Sequence, residues 1–221
     1  MQIIELGHEE PLFLGGTRRV YQHPEHRDRC IKVLRHDRTG SARKARKRGW
    51  KSLLPASSFD DQRKELQAYQ TLVRSSRNLP AVWQLVPEYF GTVATDQGPG
   101  IVTRLYRNAD GSWPENLEQR LPRGLDAALA RALSAFAQSL EQQCVLTRDL
   151  LPHNMIVVRC DSEEQQILVV DGIGNADFIP LANYSRWAAR AKVRRKLRRL
   201  EVRVKMLLPL RDQDGVDLCS S

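Results

Sequence analysis

The chain contains the stretch Thr147-Arg148-Asp149-Leu150-Leu151-Pro152-His153-Asn154, and Val169-Val170-Asp171-Gly172 follows downstream. An asparagine lies five positions after an aspartate, and a second acid follows a short apolar run. Asp149 can accept a proton from an attacking hydroxyl, while Asn154 and Asp171 offer hard oxygen ligands to magnesium. The order and spacing of these residues therefore predict a site that handles a metal-bound nucleoside triphosphate.

The length of 221 residues and the hydrophobic content of 41% are those of one globular domain with room for two lobes. No apolar run approaches the roughly 20 residues that span a bilayer. The first ten residues lack a basic region followed by an apolar core, so they do not resemble a secretory signal. We therefore expect a cytoplasmic protein without a transmembrane segment.

The formal net charge of +9 is concentrated in two clusters, residues 43–51 and 186–205. Such clusters attract phosphate-bearing or acidic partners, although a solvated face that keeps the protein in solution explains them equally well. Of the possible partners, nucleic acid is the one that we do not favour. An acidic partner at the second cluster stays open.

The first half of the chain has the pattern of a strand-rich region with one helix. Short apolar runs between turn residues predict the strands, and apolar residues at helical spacing (Leu66, Tyr69, Leu72 and Val73) predict the helix. In chain order we predict a strand pair over 11–21 around Gly15-Gly16, a strand over 29–34, an insertion over 35–59, a helix over 60–74 capped by Ser58, a loop over 80–87, and strands over 89–95 and 100–106.

The second half begins after a polar connector over 107–113 and is mainly helical. A stripe of Leu129, Leu133, Phe136 and Leu140 predicts a helix over 125–142, and a hairpin is predicted with arms over 155–159 and 167–170. A last helix is predicted over 188–208, with an apolar stripe of Ala189, Val193, Leu197, Leu200, Val204 and Leu207. Its apolar stripe can pack against the lobe or insert into a membrane surface. We favour packing, which leaves an outer basic face for an acidic partner.

Lys32 and Glu65 are the upstream candidates for the same chemistry. A lysine in the middle of an apolar strand is uncommon unless it reaches a surface or meets an opposite charge. Glu65, on the following helix, is a candidate partner. The alternatives are an edge-strand lysine and a solvated helix glutamate.

Together these residues resemble the protein-kinase signature set. Cys30-Ile31-Lys32 stands in for the strand lysine, Thr147-Arg148-Asp149-Leu150 with Asn154 for the catalytic loop, and Asp171-Gly172 for the metal-binding acid. The resemblance implies an α+β, protein-kinase-like two-lobe fold. It would be a single domain over 1–221, with an antiparallel-sheet N-lobe over about 1–107 and a reduced, mainly helical C-lobe over about 108–221.

Two longer stretches are similar to the YrbL-type family of PhoP-regulatory-network proteins. The first runs from Val20-Tyr21-Gln22-His23-Pro24-Glu25 to Arg29-Cys30-Ile31-Lys32-Val33, and the second joins Asp171-Gly172-Ile173-Gly174 to Phe178-Ile179-Pro180-Leu181-Ala182. That family is small, bacterial and kinase-like, and its biochemical activity is poorly defined. The resemblance therefore supports the fold more than the reaction.

The kinase resemblance implies a role for each candidate residue. Asp171 and Asn154 would bind Mg²⁺, and Asp149 would position and deprotonate an acceptor hydroxyl of unknown identity. Lys32, held by Glu65, would contact the α- and β-phosphates of ATP. The remaining implied nucleotide contacts are backbone amides at Gly15 and Gly16, and an adenine pocket bordered by Leu105 and Tyr106.

The sequence also departs from the kinase pattern. Thr147 replaces a histidine, Leu151 a lysine and Gly172 a phenylalanine, and no Ala-Pro-Glu motif follows. The Gly15-Gly16 turn lacks the G-x-G-x-x-G spacing, and Arg18 and Arg19 beside it are predicted to lie at a solvated hairpin tip. We therefore expect a reduced, atypical kinase. The alternatives are a pseudokinase that binds nucleotide as a regulatory module, and an unrelated basic binding protein.

Overall fold

The computed structural model describes residues 3–35, 61–75, 78–161, 163–174 and 186–218. The basic cluster 43–51, the predicted cap Ser58 and the stretch 178–182 lie outside the described residues. The chain divides into two compact units. The first comprises Met1–Gln67 and Glu88–Leu105, and the second comprises Ala68–Pro87 and Tyr106–Ser221. The predicted single domain with lobes that meet near residue 107 stays a prediction.

The first unit is built on a five-stranded antiparallel sheet. Its strands are β1 (Phe13–Leu14), β2 (Arg18–Gln22), β3 (Arg29–Leu34), β4 (Tyr89–Thr95) and β5 (Gly98–Arg104), and their order in the sheet is β1-β2-β3-β5-β4. The core on one face consists of Leu6, Tyr21, Ile31, Val33 and Val102. The predicted strand 29–34 is thus confirmed, and it lies at the centre of the sheet.

Close packing inside this sheet depends on Gly100, which pairs with Val33 across β5 and β3. A Cβ at Gly100 would lie 2.5 Å from Cγ2 of Ile31, a separation that side chains do not tolerate. Helix α1 (Asp61–Ser75) begins in the same unit, where the buried Gln62 side chain donates a hydrogen bond to the Pro99 carbonyl of β5. The sheet and the start of α1 therefore form one packed body.

The second unit is mainly helical and carries one small sheet. Its elements are the end of α1, α2 (Leu79–Val82), β6 (Glu115–Asn116), α3 (Leu117–Arg120), α4 (Ala127–Gln143), β7 (Met155–Arg159), β8 (Gln165–Val169), α5 (Arg186–Leu207) and 3₁₀ turns over Leu121–Arg123, Pro152–Asn154 and Leu210–Gly215. The small sheet has the order β6-β7-β8 and is antiparallel.

Helix α4 forms where the apolar stripe predicted it. Asp126 caps its first turn by accepting a hydrogen bond from the Leu129 amide at 2.7 Å. Cys144 ends the helix in the left-handed conformation, with φ of 53°. The predicted stripe is buried, and its members Leu129, Leu133, Phe136 and Leu140 are all at most 4% exposed.

Helix α5 packs against α4 within the second unit. Ala189, Val193, Leu197, Leu200 and Val204 are each at most 4% exposed, which confirms the packed-helix interpretation of this stripe. The stripe ends at the buried Leu208 rather than at Leu207, which is half-buried. Because its apolar face is already covered, α5 does not present that face to a membrane. Among the described residues, no helix has the length and apolar character to cross a bilayer.

Several sequence predictions were wrong in detail. Residues 80–87 are not all loop, because Asn78 caps α2 by accepting a hydrogen bond from the Ala81 amide and Pro80 occupies its first turn, where proline needs no donor. Strand β5 begins at Gly98 instead of residue 100, so the turn before it is shorter. Val73, predicted on the apolar face of α1, is 42% exposed. Strand β6 and helix α3, which are described above, were not predicted from the sequence.

The fold class is nevertheless the predicted one. The protein is α+β, with an antiparallel sheet in the first unit and mainly helices in the second. The order along the chain is kinase-like as well: strands with the lysine, a helix with the glutamate, two more strands, then helix, loop, hairpin and acid.

Candidate functional site

The first unit contains a buried ion cluster around Glu65. Lys32 lies on the central strand β3, and its Nζ is 3.7 Å from Oε1 of Glu65. The side chains of Lys32 and Glu65 are only 7% and 0% exposed. The explanations of Lys32 as an edge-strand lysine and of Glu65 as a solvated glutamate are therefore wrong, because β2 and β5 flank β3 and the carboxylate is fully buried.

A third member of this cluster is Arg18, which was predicted to lie at a solvated hairpin tip. That prediction was wrong, because the Arg18 side chain is only 6% exposed and its Nη2 forms an ion pair with Oε2 of Glu65. The reason lies in the strand register. Val20 pairs with Lys32, so Arg18, two residues earlier on β2, emerges on the same face of the sheet.

The Gly15-Gly16 turn connects β1 and β2. The Gly15 amide donates to the Arg18 carbonyl at 2.9 Å, and both glycines are exposed. Neither has a positive φ, and a Cβ at Gly16 would meet no atom within 4 Å. The turn itself therefore does not require glycine at these positions, and a close approach of phosphate to this backbone stays a prediction.

The second unit brings the downstream candidates together by backbone hydrogen bonds. The Arg148 amide donates to the Gly172 carbonyl at 2.5 Å, and the Val170 amide donates to the Asn154 carbonyl at 2.9 Å. Leu150 is fully buried and anchors the loop between these two contacts. The loop 147–154 and the segment 170–174 are thus joined along their length, as their order in the sequence predicted.

Gly172 lies where these segments meet, in a backbone conformation that favours glycine. Its φ is +78°, a conformation that side chains disfavour, and a Cβ there would lie 3.6 Å from the Asp149 carbonyl oxygen and 3.8 Å from Nδ2 of Asn154. This explains why glycine stands where the kinase pattern has phenylalanine. The neighbouring Asp171 is consequently held beside the loop of Asp149 and Asn154.

Asp171 has the surroundings of an accessible oxygen ligand. Its Oδ1 accepts a hydrogen bond from the Gly172 amide at 2.6 Å and lies 3.6 Å from Nη2 of Arg148, and its side chain is 38% exposed. The described residues contain no group of three or more His, Cys, Asp or Glu side chains that could hold a metal ion. One carboxylate and one amide nevertheless fit Mg²⁺, which takes its other ligands from phosphates and water.

Asp149 is held by Arg203 of helix α5. Nη1 of Arg203 donates to Oδ1 of Asp149 at 3.1 Å and to the Leu150 carbonyl at 2.8 Å, and Nη2 lies 3.4 Å from Oδ2. Partial burial raises the pKa of the Asp149 carboxyl, but the hydrogen bond and charge of Arg203 and the charge of Lys196 outweigh it. The net result is a pKa below the ordinary value, so the carboxylate is ionised at neutral pH.

Lys196 supports the same loop from the same helix. It is 8% exposed, and its Nζ donates to the Thr147 carbonyl at 2.5 Å and also to the Arg148 carbonyl. Lys196 and Arg203 were not predicted from the sequence, although a signal existed. The two residues are seven positions apart, which is about two helical turns, and each adjoins a member of the apolar stripe, Leu197 and Val204.

Leu105 and Tyr106 lie where the chain passes from the first unit to the second. The Leu105 amide donates to the Asp28 carbonyl at 2.8 Å, and both residues are half-buried. Their predicted contact with adenine stays a prediction.

A cavity of about 430 Å³ in the second unit lies elsewhere. None of the predicted site residues lines it. Its walls include three arginines, and each of them forms an ion pair with an acid: Arg120 with Asp126, Arg123 with Glu115, and Arg159 with Asp110. With its cations already compensated, this cavity is a poor candidate for binding phosphate.

Comparison with known proteins identifies the family. The sequence matches the family model described as PhoP regulatory network protein YrbL over residues 4–205. The chain belongs to the YrbL family. Relatives include the YrbL proteins of Escherichia coli (strain K12) and Shigella flexneri. Each is 30% identical over 201 residues, and the match covers 89% of this chain and 86% of the relative. The family resemblance inferred from the sequence is thus confirmed.

The solved structures similar to this YrbL-family chain include the kinase domain of Mycobacterium tuberculosis PknI. The likeness has a TM-score of 0.49 and a sequence identity of 19%, and it covers 94% of this chain and 76% of the kinase domain. A cysteine-to-alanine variant of the same domain gives a TM-score of 0.49 with 18% identity and covers 94% and 75% of the two chains. This likeness says nothing about the activity of the YrbL-family chain.

Proposed function

We propose that this YrbL-family chain binds Mg-ATP and transfers the γ-phosphate to a hydroxyl acceptor whose identity is open. The observation that carries the proposal is the convergence of Asp149, Asn154 and Asp171 through the hydrogen-bonded segments 147–154 and 170–174. A proton acceptor beside two oxygen ligands is the group of side chains that phosphoryl transfer to a hydroxyl requires.

Each candidate residue has a definite task in this proposal. Asp171 and Asn154 would hold Mg²⁺, which neutralises phosphate charge when bound. Lys32, fixed in place by its ion pair with Glu65, would contact the α- and β-phosphates. Asp149 would orient the acceptor hydroxyl and take its proton as the acceptor oxygen bonds to the γ-phosphorus and ADP leaves. Gly15, Gly16, Leu105 and Tyr106 would complete the nucleotide contacts.

The second candidate is a pseudokinase that binds nucleotide as a regulatory module. One observation favours it: Arg203 donates to Oδ1 of Asp149 at 3.1 Å and lies 3.4 Å from Oδ2, which leaves an acceptor hydroxyl only the remaining lone pairs of this carboxylate. The Gly15-Gly16 turn is also shorter than a usual phosphate-covering loop. Nucleotide binding is common to both candidates, whereas phosphate transfer or release distinguishes them.

Thermal unfolding with ATP and Mg²⁺ is the first experiment. A ligand that binds only the folded state raises the free energy of unfolding, by about 2.7 kcal/mol when the ligand concentration is a hundred times Kd. The melting temperature rises as a consequence. Lys32→Met should abolish most of this shift. Because Arg18 still pairs with Glu65 in that variant, the unliganded protein should stay folded. An unchanged shift would remove Lys32 from the site, and no shift in the native protein would refute nucleotide binding.

We also propose that the outer face of α5 docks an acidic partner in the cytoplasm. Arg195, Arg198 and Arg199 are exposed there, whereas Arg194 is paired with Glu141 at 2.6 Å. Replacing these three arginines by glutamine should weaken retention on an immobilised polyglutamate column. The difference between the native protein and the variant should shrink at high salt, because salt screens surface charges. Equal retention of the two proteins at low salt would contradict the proposal.

A further inference from the structure

Helix α5 contacts the candidate catalytic loop at two separate points. Arg203 reaches the side chain of Asp149 and the carbonyl of Leu150, while Lys196 reaches the carbonyls of Thr147 and Arg148. Four consecutive residues of the loop, 147–150, are therefore held by two cations of one helix. At position 151, two residues after Asp149, the loop has a leucine where the kinase pattern has a lysine.

The contact of Arg203 has the geometry of an orienting device. One nitrogen, Nη1, donates both to Oδ1 of Asp149 and to the next carbonyl along the chain, so the carboxylate is fixed relative to its own backbone. The planar guanidinium presents its donors in a rigid fork, which lysine cannot reproduce. The side chains of Arg203 and Asp149 are 34% and 43% exposed. Ion pairs this open contribute little to folding stability, so stability alone does not account for the arrangement.

Lys196 acts on the backbone rather than on a side chain. An ammonium group is costly to bury unless its donors are satisfied, and here two successive carbonyls accept from it. The carbonyls belong to the two residues immediately before Asp149, so they determine the direction in which the chain enters the catalytic position. Lys196 also adjoins Leu197, which is 1% exposed and ties this part of the helix to the core.

We propose that Arg203 and Lys196 are positioning residues for Asp149, and that α5 supplies the cation which the kinase pattern has at position 151, where this loop has leucine. The inference rests on the proposed phosphotransferase function. It adds that α5 is part of the active site's support, not only of the core. A rigid, well-packed helix suits this task, since a site residue must be held within a fraction of an ångström.

Turnover of Mg-ATP with water as acceptor tests Arg203. Arg203→Met should lower kcat about 10- to 100-fold, with KM for ATP and the melting temperature nearly unchanged, because the change acts on Asp149 and not on the proposed nucleotide contacts. Arg203→Lys should recover part of the loss. Arg211→Met is the matched control, since Arg211 is exposed and pairs with Asp212. A kcat unchanged in Arg203→Met, or a loss explained by an equal loss of folded protein, would overturn the proposal.

Relocating the charge makes the test sharper. The double variant Leu151→Lys with Arg203→Met returns a cation to the loop, and it should restore turnover above that of Arg203→Met alone. Restoration would support the view that the charge near Asp149 matters, whatever element carries it. A double variant no more active than the single one would argue against a supplied cation.

Hydrogen exchange provides a readout that needs no activity. In Lys196→Gln, amides of residues 147–151 should exchange about tenfold faster, while those of α4 stay as protected as in the native protein. If the native protein shows no turnover, the proposed reaction fails but this experiment still decides the positioning role. Unchanged exchange at 147–151, or faster exchange throughout the second unit, would overturn it.

Discussion

The ion cluster of the first unit (Arg18, Lys32 and Glu65) and the loop cluster of the second unit (Asp149, Asn154 and Asp171) differ in how far their charged side chains are exposed. Glu65 and its two cations are at most 7% exposed at their side chains, whereas Asp149 and Asp171 are 43% and 38% exposed. A buried charge is expensive to leave without its partner, and an exposed one is not. Removing Glu65, the carboxylate that both buried cations share, should therefore affect folding, and substitutions in the second cluster should mainly affect function.

The largest expected effect concerns the helix on which the second cluster depends. Removing residues 188–221 deletes the buried side chains of Val193, Leu197, Leu200 and Val204 together with Lys196 and Arg203. Each buried aliphatic side chain contributes about 1.5–3 kcal/mol, so the loss is on the order of 10 kcal/mol and the second unit should not fold.

Calorimetry and tryptophan fluorescence would show this as the loss of a cooperative transition. A milder version compares Leu200→Ala, which should cost about 2–5 kcal/mol, with Met206→Ala on the exposed face of the same helix, which should cost less than about 0.5 kcal/mol. A truncated protein that stays folded would contradict the packed helix, and a loss confined to liposome binding would support the membrane interpretation instead.

The next prediction tests the contrast between the clusters directly. Glu65→Ala leaves Arg18 and Lys32 buried without the carboxylate that they share, and should lower the unfolding free energy by about 3–5 kcal/mol. Asp171→Ala removes a half-exposed carboxylate and should cost less than about 1 kcal/mol. Urea unfolding of both variants measures the difference. Equal losses would show that burial does not separate the two clusters.

Within the loop cluster, substitutions of Asp149 and Asp171 should affect different steps, transfer in one case and magnesium-dependent binding in the other. Asp149→Asn removes the proton acceptor and leaves both proposed metal ligands, so Mg-ATP should still raise the melting temperature while transfer falls by at least about 100-fold. Asp171→Asn should instead weaken the magnesium-dependent part of binding. Full transfer activity in both variants would exclude the kinase mechanism proposed for this chain.

The contrast also explains which features the sequence could reveal. Asp149, Asn154 and Asp171 are close in sequence. The hairpin of β7 and β8 follows the loop and returns the chain to it, so Asp171 lies beside Asp149 and Asn154. Lys32 and Glu65 follow from their places on a strand and a helix. The burial of Arg18, in contrast, depends on the β2–β3 register, which pairs Val20 with Lys32. A pattern along one strand does not contain that information.

Lys196 and Arg203 were harder still to predict, because they act on residues that lie some fifty positions earlier in the chain. Their basic character was visible, but sequence alone assigned it to a solvated or partner-binding face. Only the way in which α5 packs determines which of its cations face the loop. Charge counted along a helix is therefore a weak guide to the role of any single residue in it.

The smallest expected effect is a shift in pH dependence at Asp149. Arg203 and Lys196 hold the pKa of this carboxyl below its ordinary value although partial burial acts in the opposite direction. A base must be ionised to accept a proton, so transfer should be full above that pKa and should fall as pH drops through it.

Arg203→Met removes the favourable hydrogen bond and charge, which raises the pKa of Asp149 and moves the acid limb of the rate profile to higher pH. The same sign holds for stability, since a lowered carboxyl pKa stabilises the fold above the unfolded pKa and that stabilisation is lost as pH falls. Carbon-13 NMR of the labelled aspartates measures the pKa directly, with Arg211→Met as the control. An acid limb that moves to lower pH, or a pKa unchanged in Arg203→Met, would show that Arg203 does not set the ionisation of Asp149.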